Sequence, residues 1–175
     1  MTKSIDLEKT IARVPNYPKP GILYYDISTL LMNAQAWTTT LKRLIGAISP
    51  YKPEIIAGIE SRGFLLASPL ALELAVGVQM IRKQGKLPGA TLAHTYDLEY
   101  GHGTLEIQKN PALNGKRVAI VDDIFATGGT MKAATTLIRE QGSVVVCSAC
   151  ILDLAFLRGK DKLDTPLISL IQVNE

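Results

Sequence analysis

Residues 118–131 constrain this chain more than any other segment. Residues 118–121 are four consecutive apolar residues, a run typical of a strand that is buried on both faces of a parallel sheet. Asp122 and Asp123 follow directly, then a loop of small residues at 126–130 and a predicted helix at 131–141. Because ligands of open α/β sheets bind at the carboxyl ends of the strands, the segment predicts a ligand site.

The same segment also indicates the chemistry of the ligand. Small residues let the backbone approach a ligand closely, and the first turn of a helix presents unpaired amides that bind anions. Two carboxylates beside such a loop suit hydroxyl groups, so a sugar phosphate fits the pattern. The loop has neither the lysine of a Walker loop nor the glycine spacing of a dinucleotide fold, which disfavours nucleoside triphosphates and NAD.

Length and charge exclude several protein classes. A chain of 175 residues is expected to form a single domain, residues 1–175, with a sizeable core. The net charge of +3 is not concentrated in any block of Lys or Arg, so no nucleic-acid surface is predicted. No stretch reaches the ~18 apolar residues of a membrane span, and the N-terminus lacks the apolar core of a signal peptide. We therefore expect a cytoplasmic protein that binds no membrane.

The two cysteines, Cys147 and Cys150, have the spacing of half a zinc or redox motif. They lie in a predicted strand, where an odd spacing sends the side chains to opposite faces. We interpret them as two small buried apolar residues and not as a shared metal site.

Strands and helices alternate along most of the chain, which predicts an α/β fold with a parallel sheet. Residues 5–13 are predicted to form a short helix that ends before Pro15, and residues 154–163 another. The alternation is interrupted between residues 83 and 111, where two short runs at 95–100 and 104–108 predict a hairpin. An insertion of this length in a small domain is typical of a lid or binding loop.

The strand, the acid pair and the loop of small residues in segment 118–131 together resemble the signature of the type I phosphoribosyltransferases. The resemblance implies a mainly parallel twisted sheet flanked by helices, an N-terminal arm and hood at residues 1–30, and a flexible catalytic hairpin at residues 83–110. It also implies that Asp122 and Asp123 face the ribose hydroxyls of phosphoribosyl pyrophosphate. The 5-phosphate would be held by Ala126, Thr127, Gly128, Gly129 and Thr130.

Further segments are similar to the adenine-specific members of that family. Residues 57–64 resemble a pyrophosphate loop, which implies substrate contacts for Glu60, Ser61 and Arg62 and a cis peptide at Glu60-Ser61. The basic segment that begins at Arg82 resembles a second pyrophosphate-binding loop, with Lys83 and Lys86 as its other cations. In that family the arginine at the position of Arg82 reaches the ligand of the neighbouring subunit, which implies a homodimer.

The hairpin and the hood complete the resemblance. Residues 96–101 are similar to the mobile loop of the adenine enzymes, which implies that Glu99 accepts the imidazole-ring proton of adenine and that Tyr100 helps to close the loop. In the hood, Leu23 would pack on the purine ring and Tyr25 would contribute to the binding site. The family commonly has Phe-Arg where this chain has Tyr24-Tyr25. His94 and His102 match no catalytic residue and are expected on the surface.

The implied reaction converts adenine and phosphoribosyl pyrophosphate into AMP and pyrophosphate for purine salvage. Magnesium would enter with the substrate, without direct protein ligands and with water-mediated contact to Asp122 or Asp123. One alternative is an oxopurine enzyme acting on hypoxanthine, guanine or xanthine. The other is a non-catalytic regulator that binds phosphoribosyl pyrophosphate.

Overall fold

A computed structural model of the protein describes residues 5–97 and 101–175. By its internal contacts the chain divides into two units, Met1–Arg43 and Leu44–Glu175. From the sequence, one domain was predicted, with the hood at residues 1–30. No helix among the described residues is both long and apolar enough to cross a bilayer.

The first unit contains a small antiparallel sheet in which β1 (Ala12–Pro15) pairs with β2 (Leu23–Asp26). Helix α1 (Ser28–Met32) follows, and α2 (Ala34–Ile48) begins in this unit. The helix predicted at residues 5–13 is wrong: a single 3-10 turn at Glu8–Thr10 leads into β1. Residues 12–15 satisfy their backbone groups by pairing with β2 and not within a helix.

The second unit is built on one mixed sheet with the strand order β10-β9-β7-β3-β4-β6-β5. Neighbouring strands are parallel from β10 to β4, whereas β6 pairs antiparallel with both β4 and β5. The strands are β3 (Ile55–Ile59), β4 (Gly77–Lys83), β5 (Thr91–Asp97), β6 (His102–Gln108), β7 (Arg117–Val121), the short β8 (Ile124–Phe125) beside β9 (Val144–Leu154), and β10 (Leu167–Val173).

Two helices cover opposite faces of this sheet. Helix α4 (Gly129–Glu140) packs in the main apolar cluster with Ala57 and Ile59 of β3. Helix α3 (Gly63–Leu74) lies over the residue between them: a Cβ on Gly58 would stand 2.8 Å from the Cβ of Ala67. Because neighbouring residues of a strand point to opposite faces, the arrangement confirms the predicted α/β sheet with helices on both sides.

Most of the other sequence predictions for this unit agree with the structure. The predicted hairpin is present as β5 and β6, paired from Thr91↔Gln108 to Asp97↔His102. Cys147 and Cys150 are free and buried in β9, as predicted. The short helix predicted near residues 154–163 is wrong, because two 3-10 turns, Ala155–Leu157 and Gly159–Lys162, occupy this segment.

Candidate active site

Two loops meet at the carboxyl edge of the sheet. Strands β3 and β7 are parallel neighbours with Gly58 opposite Val121, so the segments that follow them emerge side by side. Gly63, at the start of α3, brings these loops into contact. An added Cβ at this position would lie 2.7 Å from the carbonyl oxygen of Val121 and 3.2 Å from Oδ1 of Asp122. Only glycine permits this approach without a shift of the backbone.

The loop at residues 126–130 forms a small cavity at the start of α4. Gly128 has a φ of 79°, in the left-handed region that favours glycine, and α4 begins at the next residue. The cavity has a volume of about 90 Å³ and is lined by Asp122, Ile124, Phe125, Ala126, Thr127, Gly128, Thr130 and Met131. The first turn of α4 therefore borders this cavity, and the binding of a compact anion by its backbone amides stays a prediction.

Gly159 supports this loop and was missed by the sequence analysis. Its backbone lies directly against the loop: a Cβ added to Gly159 would overlap the carbonyl oxygen of Ala126 and stand 2.7 Å from the amide nitrogen of Gly128. A Cβ on Gly128 would in turn overlap the carbonyl oxygen of Gly159. No local sequence signal connects positions 31 residues apart, so only the fold identifies this glycine pair.

The two aspartates have different surroundings. Asp123 is 2% exposed, and its Oδ2 lies 2.7 Å from Nε of Arg62 as an ion pair. Within the described part of the chain, no donor meets hydrogen-bond geometry at this oxygen. Oδ1 of Asp122 accepts the backbone N–H of Asp123 at 2.9 Å. Asp122 lines the 90 Å³ cavity and also a second cavity with residues 60–62, so it stands where the two ligand regions join.

Burial, reinforced by the neighbouring charge of Asp123, raises the pKa of Asp122 well above its usual value. The folded protein therefore keeps a proton on this carboxyl group at pH values where the unfolded chain has released it. The raised pKa of Asp122 adds to the stability of the folded protein at low pH. This addition is full below the ordinary carboxylate pKa of about 4 and is lost as the pH rises through the raised pKa. The site thus holds an acid whose ionisation destabilises the empty protein.

Asp122→Asn is accordingly expected to stabilise the ligand-free protein at pH 8 by about 0.5–2 kcal/mol, a rise in Tm of a few degrees. The gain should shrink at pH 5, because the wild-type carboxyl group then carries more of its proton. Thermal unfolding of both proteins at the two pH values measures the difference. A variant that is less stable than wild type at pH 8, or a gain that does not change with pH, would contradict this account.

The second cavity contains a cluster of charges around the loop at residues 60–62. It has a volume of about 250 Å³ and is lined by Glu60, Ser61, Arg62, Lys83, Asp122, Asp123 and Ile124. The Glu60-Ser61 peptide is cis, as the resemblance implied. Four of the residues assigned to substrate from the sequence, Glu60, Ser61, Arg62 and Lys83, therefore share one cavity with the acid pair.

Arg82 is held within its own chain. Its Nε lies 3.2 Å from Oε2 of Glu60, its Nη2 donates to Oε1 of Glu60 at 3.4 Å, and its Nη1 donates to the carbonyl oxygen of Lys86 at 2.9 Å. The guanidinium carbon also lies 6.0 Å from the ring centroid of Phe64. The reach of Arg82 into a neighbouring site therefore stays a prediction, and it requires that these bonds be exchanged.

Glu60 is ionised at neutral pH. Burial raises the pKa of this carboxyl group, but the backbone N–H of Lys83 and the guanidinium of Arg82 outweigh burial and hold the pKa below its usual value. Glu60 therefore supplies the negative charge that balances Arg82. The predicted pyrophosphate ligand would have to compete with this carboxylate for the same cation.

Glu60→Gln is expected to tighten the binding of pyrophosphate by about three- to tenfold, because the amide keeps the shape and removes the competing charge. Isothermal titration of pyrophosphate into the two proteins measures the change. Glu54→Gln is a matched control, since Glu54 forms a 2.7 Å ion pair with Lys116 beyond the opposite end of β3. Weaker pyrophosphate binding by Glu60→Gln would mean that the carboxylate positions Arg82 for the ligand and does not compete with it.

Several residues predicted for the site are not among those that line these two cavities. Glu99 and Tyr100 lie outside the described residues. In the first unit, Leu23 is 43% exposed, whereas Tyr25 is buried with the guanidinium of Arg13 at 5.7 Å from its ring centroid. The purine contacts assigned to Leu23 and Tyr25 stay predictions. His94 lines a surface cavity beside α4, and His102 bonds to Asp97 at 2.8 Å.

Comparison with known proteins identifies the family of this site. Residues 27–172 match the phosphoribosyl transferase domain. An adenine phosphoribosyltransferase of Rhodospirillum centenum is 54% identical over 95% of this chain and 98% of its own length. The crystal structure of adenine phosphoribosyltransferase from Thermoanaerobacter pseudethanolicus superposes with a TM-score of 0.92 at 43% identity, covering 95% of this chain and 98% of that one.

A third similar protein has ligands bound. The adenine phosphoribosyltransferase from Saccharomyces cerevisiae, solved in complex with an imino-altritol bisphosphate and adenine, has a TM-score of 0.86 at 40% identity and covers 94% of this chain and 96% of its own. Both the sequence and structure matches extend over nearly the whole chain. This chain therefore belongs to the type I phosphoribosyltransferases, within the adenine phosphoribosyltransferase family.

Proposed function

We propose that this protein is an adenine phosphoribosyltransferase, which forms AMP and pyrophosphate from adenine and 5-phosphoribosyl 1-pyrophosphate in purine salvage. The observation that carries the proposal is the position of Asp122, which lines both the cavity of the 126–130 loop and the cavity of the 60–62 loop. A ligand with phosphate groups at two ends and a diol between them fits this arrangement. Selectivity for adenine is supported by the relatives reported above.

In this reaction the ribose diol lies between the aspartates while the two loops hold its anionic ends. The bond from C1′ of the ribose to the pyrophosphate oxygen breaks as a purine nitrogen bonds to C1′ from the opposite face. Positive charge develops on the ribose, and the acid pair stabilises it once Asp122 has released its proton to solvent. The bonding electrons leave with pyrophosphate, whose added charge is balanced by Arg62, Arg82, Lys83 and Lys86.

Glu99 is proposed to take the proton that adenine loses from its imidazole ring. A carboxylate within hydrogen-bond reach of the ring nitrogen accepts this proton as the new bond forms. The residue lies two positions beyond the end of β5 in the sequence, on the hairpin that the resemblance identifies as the catalytic loop. Tyr100 is proposed to help exclude water, which would otherwise hydrolyse the activated sugar.

The site also fits magnesium that arrives with the substrate. Mg²⁺ prefers substrate phosphates together with one or two carboxylates over an all-protein cage. Asp122 and Asp123 offer such carboxylate oxygens for contact through water, without a direct bond to the metal. When bound, the metal would neutralise charge on the pyrophosphate. A cytoplasmic location is proposed because phosphorylated substrates of this kind do not cross membranes unaided.

We also propose that the protein is a homodimer, on the basis of an apolar surface in the second unit. Val78 and Met80 of β4 are 50% and 42% exposed, and Leu65 and Leu72 of α3 are 47% and 84% exposed. The strand residues point to the same face as Arg82, whose guanidinium lies against α3. Because large exposed apolar patches mark interaction sites, we assign the interface to these residues. Pairing of two copies there would bring Arg82 to the interface.

Met80→Glu is expected to convert the dimer to a monomer, because it would bury two uncompensated carboxylates in a symmetric interface. Sedimentation equilibrium should give about twice the 19.0 kDa chain mass for wild type and one chain mass for the variant. Met32→Glu provides a control, since Met32 is 87% exposed in the first unit. A monomeric wild-type protein, or a dimer that Met80→Glu leaves intact, would refute this interface.

The assignment is tested by incubating the protein with Mg²⁺, phosphoribosyl pyrophosphate and each purine base in turn. We expect AMP and pyrophosphate in equal amounts from adenine, and little product from hypoxanthine, guanine or xanthine. Preference for an oxopurine would overturn the base assignment but leave the phosphoribosyl transfer in place. Tight binding of phosphoribosyl pyrophosphate without turnover of any base would instead identify a regulator.

A further inference from the structure

Tyr96 connects the hairpin formed by β5 and β6 to the loop at residues 126–130. It lies near the end of β5, opposite Gly103 of β6, and it packs against the main apolar cluster. Its hydroxyl oxygen is 3.3 Å from Oγ1 of Thr130. Thr130 is the second residue of α4 and lines the 90 Å³ cavity. A side chain of the hairpin therefore bonds directly to the wall of the candidate phosphate cavity.

Two glycines make space for the tyrosine ring. A Cβ on Gly103 would lie 2.9 Å from Cζ and 3.0 Å from the hydroxyl oxygen of Tyr96, and a Cβ on Gly129 would lie 3.4 Å from Cδ2 of the same ring. Gly103 is not among the glycines with positive φ, so space and not backbone conformation accounts for the glycine there. The ring is thus fixed between the partner strand and the first residue of α4.

The hydrogen bond between the two hydroxyls can reverse its direction. In the ligand-free protein the hydroxyl of Thr130 donates to the oxygen of Tyr96. A hydroxyl has one proton to donate but can accept two bonds, whereas a fully ionised phosphate oxygen only accepts. When a phosphate group occupies the cavity, Thr130 can donate to the phosphate only if it stops donating to Tyr96. The phenol, whose oxygen lies 3.3 Å from Oγ1 of Thr130, can then donate to Thr130 in turn.

We propose that Tyr96 is a positioning residue for phosphate binding. It orients Oγ1 of Thr130 in the empty site and becomes the donor to that oxygen when a phosphate ester is bound. The hydroxyl of Thr130 can then donate to the ligand while its oxygen accepts a hydrogen bond from Tyr96. This inference rests on the proposed function, since it assigns the cavity to the 5-phosphate of the ribose substrate.

The test is the binding of ribose 5-phosphate to wild type, Tyr96→Phe, Thr130→Val and the double variant, measured by isothermal titration. Tyr96→Phe keeps the ring and its packing, and we expect it to weaken binding by about five- to tenfold, the effect of one hydrogen bond in a charged network. Thr130→Val should weaken binding at least as much. Because Tyr96 acts through Thr130, the double variant should bind no more weakly than Thr130→Val alone.

Kinetics distinguish positioning from a general loss of structure. Tyr96→Phe should raise KM for phosphoribosyl pyrophosphate by a similar factor, with KM for adenine unchanged. Tyr51→Phe removes a phenolic hydroxyl from the 3-10 turn before β3 and is the matched control. Gly103→Ala offers a second route, since it displaces the ring and should weaken ribose 5-phosphate binding without removing any polar group.

The possible results separate the two proposals. Unchanged binding in Tyr96→Phe, or additive losses in the double variant, would overturn the role of Tyr96 and leave the enzyme assignment intact. A wild-type protein that binds neither ribose 5-phosphate nor phosphoribosyl pyrophosphate would overturn both.

Discussion

Replacing Gly159 with alanine is expected to lower kcat/KM for phosphoribosyl pyrophosphate by about 100-fold, although Gly159 belongs to neither candidate loop. The added methyl group would overlap the carbonyl oxygen of Ala126 and lie 2.7 Å from the amide nitrogen of Gly128 and 2.8 Å from the carbonyl carbon of Thr127. All three are backbone atoms, which cannot rotate away as a side chain can. The loop must shift, and a displacement of about 1 Å at a reacting site costs on the order of 100-fold in rate.

The loss should appear mainly in binding of the phosphate end. We expect Gly159→Ala to raise KM for phosphoribosyl pyrophosphate and Kd for ribose 5-phosphate, and to lower the free energy of unfolding by about 1–3 kcal/mol through overpacking. Gly46→Ala is the control: this helical glycine has no atom within 4 Å of an added Cβ, so the substitution should be neutral or slightly stabilising. Wild-type KM in Gly159→Ala would show that the loop tolerates displacement.

Gly159 also illustrates what the sequence could not predict. The loop at residues 126–130 was predictable because its signals are local: an apolar strand, two acids, small residues and a helix follow one another directly. Its support comes from a segment that the sequence analysis assigned to a helix, and Arg158 instead adopts a φ of 53° between two 3-10 turns. Contacts between distant segments leave no periodic pattern, so the supporting glycine was missed.

The charged residues of the site show the same limit, because their motifs could be predicted from the sequence but their contacts with distant segments could not. The sequence identified Arg62 and Arg82 as cations for pyrophosphate, because the motif that contains each of them is contiguous. It did not predict that Asp123 would pair with Arg62, or Glu60 with Arg82, in the ligand-free protein. Each pair joins the ends of two different strands, so it depends on strand order in the sheet. These carboxylates balance cations that would otherwise repel one another before the substrate binds.

In the hood, by contrast, a helix that was predicted from a local segment does not form. Leu7 and Ile11 are four residues apart and both are buried, a spacing that favours a helix. Only the first part of that segment turns, as the 3-10 helix Glu8–Thr10, before Ala12 pairs with Asp26. Pairing with a strand fourteen residues away overrides a short helical pattern, because an isolated helix of this length is not stable by itself.

Glu99→Gln is expected to have the largest effect on turnover, a decrease in kcat of about 10²- to 10⁴-fold, the usual contribution of a positioned acid or base. The amide cannot accept the imidazole-ring proton of adenine, so the nitrogen must attack before that proton has left. KM for phosphoribosyl pyrophosphate should stay near the wild-type value, because the loops at residues 60–62 and 126–130 bind its two ends. Steady-state kinetics with adenine as the varied base measure both constants.

Asp97→Asn is the matched control for this substitution. Asp97 is the last residue of β5 and its carboxylate bonds to His102 across the hairpin, so the control removes a carboxylate two residues away without touching the proposed base. If Asp97→Asn lowers kcat as much as Glu99→Gln, the effect belongs to the charge or fold of the hairpin. If Glu99→Gln keeps kcat within about threefold of wild type, less than general base catalysis supplies, the proton must leave to solvent and Glu99 is not the base. A loss of kcat in Glu99→Gln alone, with KM for phosphoribosyl pyrophosphate unchanged, would show that Glu99 acts in proton transfer from adenine and not in binding of the sugar phosphate.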